Sequence, residues 1–204
     1  MNALAADALV PWTLLASYFG FLRPPEPSTS RGYTLNMAAR NITLRFGRLA
    51  DAASIAIMSR ELIEPGLGWS WTPERVARSI RNGDTVTLIG ADGTRIISFA
   101  VMHFGDEHAH LNLLAVRPTH QRTGIGTRLV DWLMESAQVA GIATVSLELR
   151  TSNDDARRIY LALGFTEAAY IPGYYRGRET AVRMVRELRP ANLQPVHWTR
   201  PGKP

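Results

Sequence analysis

A short apolar run, Leu111 to Val116, stops at Pro118; a loop holding Gly124 and Gly126 follows, and then a period of Leu129, Val130, Leu133 and Met134. This spacing predicts a strand, a loop and an amphipathic helix in direct succession. A helix entered through glycines presents free backbone N–H groups and the positive end of its dipole, which together favour a phosphate group, and glycine lets the backbone approach it closely. Most other readings of the chain have to fit around this unit.

Two familiar phosphate loops do not fit. The P-loop ends in Gly-Lys-Ser/Thr, whereas Gly126 is followed by Thr127 and Arg128; the dinucleotide fingerprint needs a third glycine where Leu129 stands. Further along, residues 144–150 alternate, so that Val145, Leu147 and Leu149 face one side of a strand and Ser146, Glu148 and Arg150 the other. A carboxylate therefore sits in mid-strand. Ser152 or Asn153 then caps a helix that Gly164 closes, with Phe165 next.

Gln121, Gly124 and Gly126 match the Gln/Arg-x-x-Gly-x-Gly/Ala loop, and Asn153, Ala156, Tyr160, Gly164 and Phe165 match a second pattern; in this order they resemble the GNAT superfamily of N-acetyltransferases. The resemblance runs from about Thr43 to Leu188. The segments 148–153 and 170–184 are similar to the branch containing the ribosomal-protein-alanine N-acetyltransferase, although the loop before position 180 lacks the longer insertion of that branch. The resemblance implies acetyl-CoA as cosubstrate, held by Leu114, Ala115 and Val116 on the strand, by Gln121, Arg122, Thr123, Gly124, Ile125, Gly126 and Thr127 in the loop, and by Asn153.

It also implies roles for two side chains: Glu148 as the base that accepts the amine proton, through water or directly, and Tyr160 as the acid that protonates the leaving sulfur. Between Leu147 and Leu149 a partly desolvated Glu148 would have a raised pKa. The alternative readings are a surface Glu148 paired with Arg150, a Tyr160 that packs on Phe165, and an Asn153 that only caps its helix. Trp69, Trp71, Tyr174 and Tyr175 lie in the two segments where the family places substrate walls, and equally suit core covering.

The remaining pattern predicts strand 42–47, helices 51–63 and 73–82 (the latter capped by Thr72, with Pro73 in its first turn), strands 85–90, 95–103 and 108–116, helix 123–140, strand 144–150, helix 154–163, and strands 166–170 and 180–187. This is an α/β (α+β) chain with a mixed sheet and no internal repeat. As implied by the resemblance, the sheet is mostly antiparallel, flanked by helices, and splayed between the strands near 111–116 and 144–150.

With 204 residues, 46% of them hydrophobic and 20% charged, the chain suits one domain. That domain is placed at 41–189, after an extension and linker over 1–40 and before a tail over 190–204 that is expected to be disordered. The stretch from Leu9 to Leu22 contains Pro11 and is too short for a bilayer span, and no basic n-region precedes it, so a cytoplasmic location is expected. Met37, just before the domain pattern, suggests a later start.

The sequence has no cysteine, so a thiol nucleophile and a disulfide framework are excluded. The formal charge of +5 comes from scattered arginines without a dense run, which points away from nucleic acid. His108 and His110 share a strand face, but no third ligand is spaced for a metal. The expected acceptor is a protein N-terminus, with a small amine as the alternative; a non-catalytic acyl-CoA-binding module is the reading from another class. Both a monomer and a homodimer are compatible with the pattern. An α-amine of pKa ~8 is roughly a tenth neutral at pH 7, whereas a lysine of pKa ~10.4 costs about 4.6 kcal/mol to deprotonate, so a site with one carboxylate suits the α-amine better.

Overall fold

The computed structural model describes residues 33–37 and 40–189. Its chain order is β1 (Tyr33–Met37), β2 (Arg40–Phe46), α1 (Ala52–Leu62), α2 (Pro73–Arg81), β3 (Thr85–Asp92), β4 (Arg95–Phe104), β5 (His108–Val116), α3 (Ile125–Val139), β6 (Thr144–Arg150), α4 (Asp154–Ala162), β7 (Thr166–Tyr175) and β8 (Glu179–Glu187). The eight strands form one sheet in the order β1-β2-β3-β4-β5-β6-β8-β7. Every pairing is antiparallel except that of β5 with β6.

That parallel pairing is short. It joins His108, Ala109 and His110 to Thr144, Val145 and Ser146 and then stops, although both strands continue. The cause is visible on β5. Its register against β4 slips between Val101 and Met102, which pair with Leu113 and Leu111 and leave Asn112 as an extra residue. Such a bulge bends the strand and strengthens its twist, and here it turns β5 away from β6. Side chains change faces across it: Leu111 packs in the cluster with Leu129, Leu133, Leu147 and Met184, whereas Leu113 and Ala115 pack with Ile55, Met58, Val76 and Phe99.

The helices supply the two outer layers. α3 buries Leu129, Val130, Leu133, Met134 and Ala137 on one face of the sheet, and α1 and α2 bury Ile55, Met58 and Val76 on the other. Truncating one of these fully buried leucines to alanine costs about 2–5 kcal/mol, because the transfer loss and the residual cavity add. Thr72 caps α2 by accepting from the Arg75 N–H, and Pro73 sits where a helix has no N–H to lose.

Two boundaries depart furthest from the sequence expectation. The sheet begins at Tyr33, inside the stretch assigned to the extension, because Tyr33–Met37 pairs antiparallel with β2. At the other end β7 runs on to Tyr175, where the sequence predicts a strand end at 170 and a loop. β7 is the outermost strand and is irregular between Ile171 and Tyr175, which accommodates Pro172 and Gly173. The apolar stretch 9–22, the linker 23–32 and the tail 190–204 lie outside the described residues. No described helix is long and apolar enough to cross a membrane.

Candidate active site

The strand-loop-helix unit folds as its spacing predicts. After a one-turn 3-10 helix at Pro118–His120, the Gln121 side-chain Nε2 donates back to the Val116 carbonyl at 3.0 Å and Thr123 Oγ1 donates to the His120 carbonyl at 2.6 Å. Arg122 and Gly124 take left-handed conformations with φ of 60° and 81°. The first N–H to enter the α3 ladder is that of Arg128, on the Gly124 carbonyl. From Arg122 to Thr127 no backbone N–H donates to an acceptor among the described residues, so a run of donors is left facing outward at the helix N-terminus. A Cβ on Gly126 would stand 3.4 Å from Val116 Cγ2, an ordinary contact distance.

Leu114, Ala115 and Val116 lead into this cradle along the part of β5 that has lost β6 as a partner. The gap between the strands thus opens beside the free N–H groups. Asn153 is the N-cap of α4, accepting from the Ala156 N–H at 3.2 Å; its side chain does the capping work that the sequence allowed for.

On the far side of the gap lies a cavity of about 360 Å³ whose wall includes Trp71, His110, Asn112, Glu148, Tyr174 and Tyr175. The segment before α2 that forms one side is fixed by Glu64, a buried carboxylate that accepts from Ser59 Oγ, Ser70 N, Ser70 Oγ and Trp71 N. Arg150 Nη2 donates to the Pro65 carbonyl at 2.6 Å and Nη1 to Glu179 at 3.2 Å, tying that segment to the β6–β8 edge. Of the expected wall residues, Trp71, Tyr174 and Tyr175 line the cavity. Trp69 does not: its indole N–H donates to the Ala56 carbonyl of α1 at 3.2 Å.

Glu148 differs from the sequence expectation in its chemistry. Its side chain is only 4% exposed and pairs with Arg183 rather than Arg150. Oε1 accepts from Arg183 Nε at 2.7 Å, while Oε2 accepts from the Tyr174 hydroxyl and faces His110 Nε2, both at 3.1 Å. Burial pushes its carboxyl up, but the bonds and charges of His110 and Arg183 outweigh this and hold it down at about 2. The expected rise is therefore a fall. Leu147 and Leu149 point to the opposite face of the sheet, so they do not set its surroundings.

Tyr160 lies in α4 with 7% exposure and meets Phe165 edge to face, centroids 5.5 Å apart. Burial, and then the nearby Tyr175 phenol, push its hydroxyl above the ordinary value. The hydroxyl has no hydrogen-bond partner among the described residues, and Tyr160 lines neither the cavity beside Glu148 nor its larger neighbour. Core packing on Phe165 is thus realised, and a role toward a bound ligand is left open to this hydroxyl. Tyr175, stacked edge to face on Tyr174 at 5.0 Å, is pushed up to about 12, mainly by burial.

His110 and Arg183 belong to the site although sequence reasoning gave them no role in it. The one available signal for His110 was its place on the same face of β5 as Glu148 of β6, which requires knowing that the two strands pair. Arg183 pairs across β6–β8 with Glu148. No group of three or more His, Cys, Asp or Glu side chains arranged for a metal occurs among the described residues.

A mixed, mostly antiparallel sheet with an interrupted parallel pair thus leaves a gap with a donor-lined helix start on one side and a buried carboxylate on the other. The model of the acetyltransferase (GNAT) family matches residues 56–165, more than half of the chain. The chain belongs to that family. It is similar to ribosomal protein bS18-alanine N-acetyltransferase from Escherichia coli (strain K12), with 38% identity over 93 residues; the aligned stretch covers 44% of this chain and 63% of that protein, under two thirds of its length. Among solved structures, it resembles the ribosomal-protein-S18-alanine N-acetyltransferase from Escherichia coli at TM-score 0.64 and 26% identity, covering 75% of this chain and 99% of that one. Ard1 from Thermoplasma volcanium is similar at TM-score 0.65 and 25% identity, covering 73% and 99%.

Proposed function

We propose that the protein is an acetyl-CoA-dependent N-acetyltransferase whose acceptor is a primary amine, the α-amine of a protein N-terminus. The observation that carries this reading is the run of unpartnered N–H groups from Arg122 to Thr127 opening onto the β5/β6 gap. A pyrophosphate suits that run, because it needs several convergent donors and close backbone approach. Gly124 and Gly126 allow the approach, and the free edge of Leu114–Val116 suits the amide-bearing pantetheine arm. Asn153 keeps its amide NH2 for the same ligand, since only Oδ1 is spent on the cap.

Acetyl-CoA supplies a thioester to which a neutral amine adds, with the thiol as leaving group. Three tasks then fall to the chain: to hold the incoming ammonium, to take its proton, and to give one to sulfur. Glu148, ionised throughout the working pH range, is the anionic end of the acceptor cavity and draws the ammonium in. Tyr160, its phenol raised above the ordinary value, stays protonated and donates toward the sulfur. Trp71, Tyr174 and Tyr175 are flat walls against which an extended peptide N-terminus packs. The named activity of the bS18-alanine relatives supports an α-amine acceptor.

The test is release of free CoA from acetyl-CoA with a panel of N-terminal peptides and small amines. Turnover is expected on peptides, falling about tenfold in Tyr160→Phe with acetyl-CoA affinity unchanged. Turnover confined to small amines would replace the acceptor, and binding of acetyl-CoA with no acetylated product on any acceptor would overturn the enzyme reading in favour of a binding module.

A further inference from the structure

Two cavities of opposite character adjoin on the Glu148 side of the gap. The first holds the Glu148 carboxylate. The second, about 420 Å³, has Arg78 and His103 on its wall and no carboxylate, and it shares Trp71, Arg75, His110 and Asn112 with the first. Arg75 and Arg78 stand three residues apart on α2, hence on one face, and both are exposed. The Thr72 cap and the fully buried Val76 fix the rotation of that helix. Arg75 is held further: its guanidinium lies 4.2 Å from the centroid of the Trp71 ring, Nη1 is 3.4 Å from the Ser70 carbonyl, and the Trp71 N–H is itself tied to Glu64. Among the described residues neither Arg75 nor Arg78 pairs with a carboxylate, whereas Arg45, Arg150, Arg157, Arg158 and Arg183 do. Glu74 and Asp84, the nearest acids in sequence, line neither cavity.

Resting on the acetyltransferase reading above, we propose that the acceptor is a peptide with an acidic side chain at its third or fourth residue, its α-ammonium directed to Glu148 and its Asp or Glu carboxylate to Arg75 and Arg78. Between these ends the chain crosses the shared wall of Trp71 and Asn112. Asn112 is the extra residue of the β5 bulge; its Nδ2 donates to the His110 carbonyl at 3.4 Å, which leaves Oδ1 for a peptide N–H. A guanidinium takes a carboxylate through two parallel N–H bonds, and two of them side by side offer that geometry twice. A lysine or arginine at the same place would meet like charge, so the second cavity selects by repulsion as well as by attraction.

The register of the sheet sets the spacing. His103 pairs with His110 across β4 and β5, His110 with Ser146 across β5 and β6, and Glu148 lies two residues further along β6. Two strand separations of about 4.8 Å and a two-residue step of about 6.7 Å put the backbone beneath the two ends on the order of 12 Å apart. An extended peptide advances about 3.3–3.6 Å per residue, so its third and fourth residues lie roughly 7 and 10 Å from the first, and the reach of their side chains and of the arginines closes the remainder.

The experiment measures kcat/KM by CoA release on three peptides that differ only at their third and fourth residues, which are both Glu, both Gln or both Lys. Wild type should prefer the Glu peptide over the Gln peptide by about five- to tenfold, mainly through KM, and should use the Lys peptide least. The preference should shrink to within about twofold in Arg75→Gln/Arg78→Gln and, for wild type, in about 0.5 M salt, and Arg78→Glu should reverse the order of the Glu and Lys peptides. Arg81→Gln, also on α2 but on neither wall, should keep it. Each ratio is taken within one variant, so a smaller folded fraction cancels. Equal use of the Glu and Gln peptides by wild type, or a Glu preference that survives Arg75→Gln/Arg78→Gln, overturns the assignment while peptide acetylation itself stands. If no peptide is acetylated whatever its charge, the reading of a protein N-terminus as acceptor falls and this one with it.

Discussion

The two sides of the gap are built by different means. The donor side is made almost wholly of backbone: the free N–H groups of Arg122–Thr127 and the edge of Leu114–Val116, contiguous in sequence and shaped by two left-handed residues, Arg122 and Gly124. The side proposed for the acceptor is made of side chains brought from far apart, with Trp71 ahead of α2, His110 on β5, Glu148 on β6, Tyr174 on β7 and Arg183 on β8. A backbone site tolerates side-chain changes and depends on dihedral angles. A side-chain site depends on charge balance and on the strands staying in register.

The strongest way to break the backbone side is a residue that cannot hold its dihedral. Gly124→Val places a β-branched side chain at φ of 81°, which costs about 1–3 kcal/mol in place; relief by moving the loop should weaken acetyl-CoA binding by about a hundredfold, read by calorimetry. Arg122→Ala, which keeps the N–H, should cost far less, and an equal loss would mean that the cradle works through side chains after all.

The side-chain half should respond to pH instead. The Glu148 carboxyl is held near 2 in the folded protein, below its ordinary value of ~4.3 in the unfolded chain, so the folded state binds fewer protons over that interval. Its stabilisation is full above about pH 4.5 and is lost as the pH falls toward 2, on the order of 2 kcal/mol once the exposure of Arg183 is discounted. Denaturant unfolding of wild type and Glu148→Gln at neutral pH and near pH 3 checks this: the gap between them should shrink in acid, and a constant gap would contradict it.

The smallest effect separates the two tryptophans. Trp69→Phe loses one hydrogen bond to the Ala56 carbonyl, about 1 kcal/mol in stability, and should leave the acceptor KM unchanged. Trp71→Phe keeps a ring in the wall and should move KM by only a few-fold, whereas a shift for Trp69→Phe as large as that for Trp71→Phe would merge two residues that the structure separates.

Where local pattern is strong the sequence is a good guide. β5 and β6 have the bounds that alternation and the flanking Pro and Gly residues predict, and α4 starts at its Asn153 cap as expected. The edge strands were harder to read. β1 follows a proline-rich linker, and β7 continues through Pro172 and Gly173, because an outer strand has an unpaired side on which a missing N–H or a bulge does no harm. The bulge at Asn112 left no mark in the alternation of β5 either, although it decides where the sheet opens.

The sequence by itself determined the cradle, since a strand, a turn with glycines and a helix start are fixed by neighbours a few residues apart, and backbone donors need no partner from elsewhere. It also determined that a carboxylate stands on the polar face of β6. Only the tertiary structure decided what that carboxylate is. Leu147 and Leu149, its neighbours in sequence, point to the other face, and the groups that set its charge arrive from β5, β7 and β8; a pKa is governed by distances in space, which strand pairing fixes and sequence separation does not.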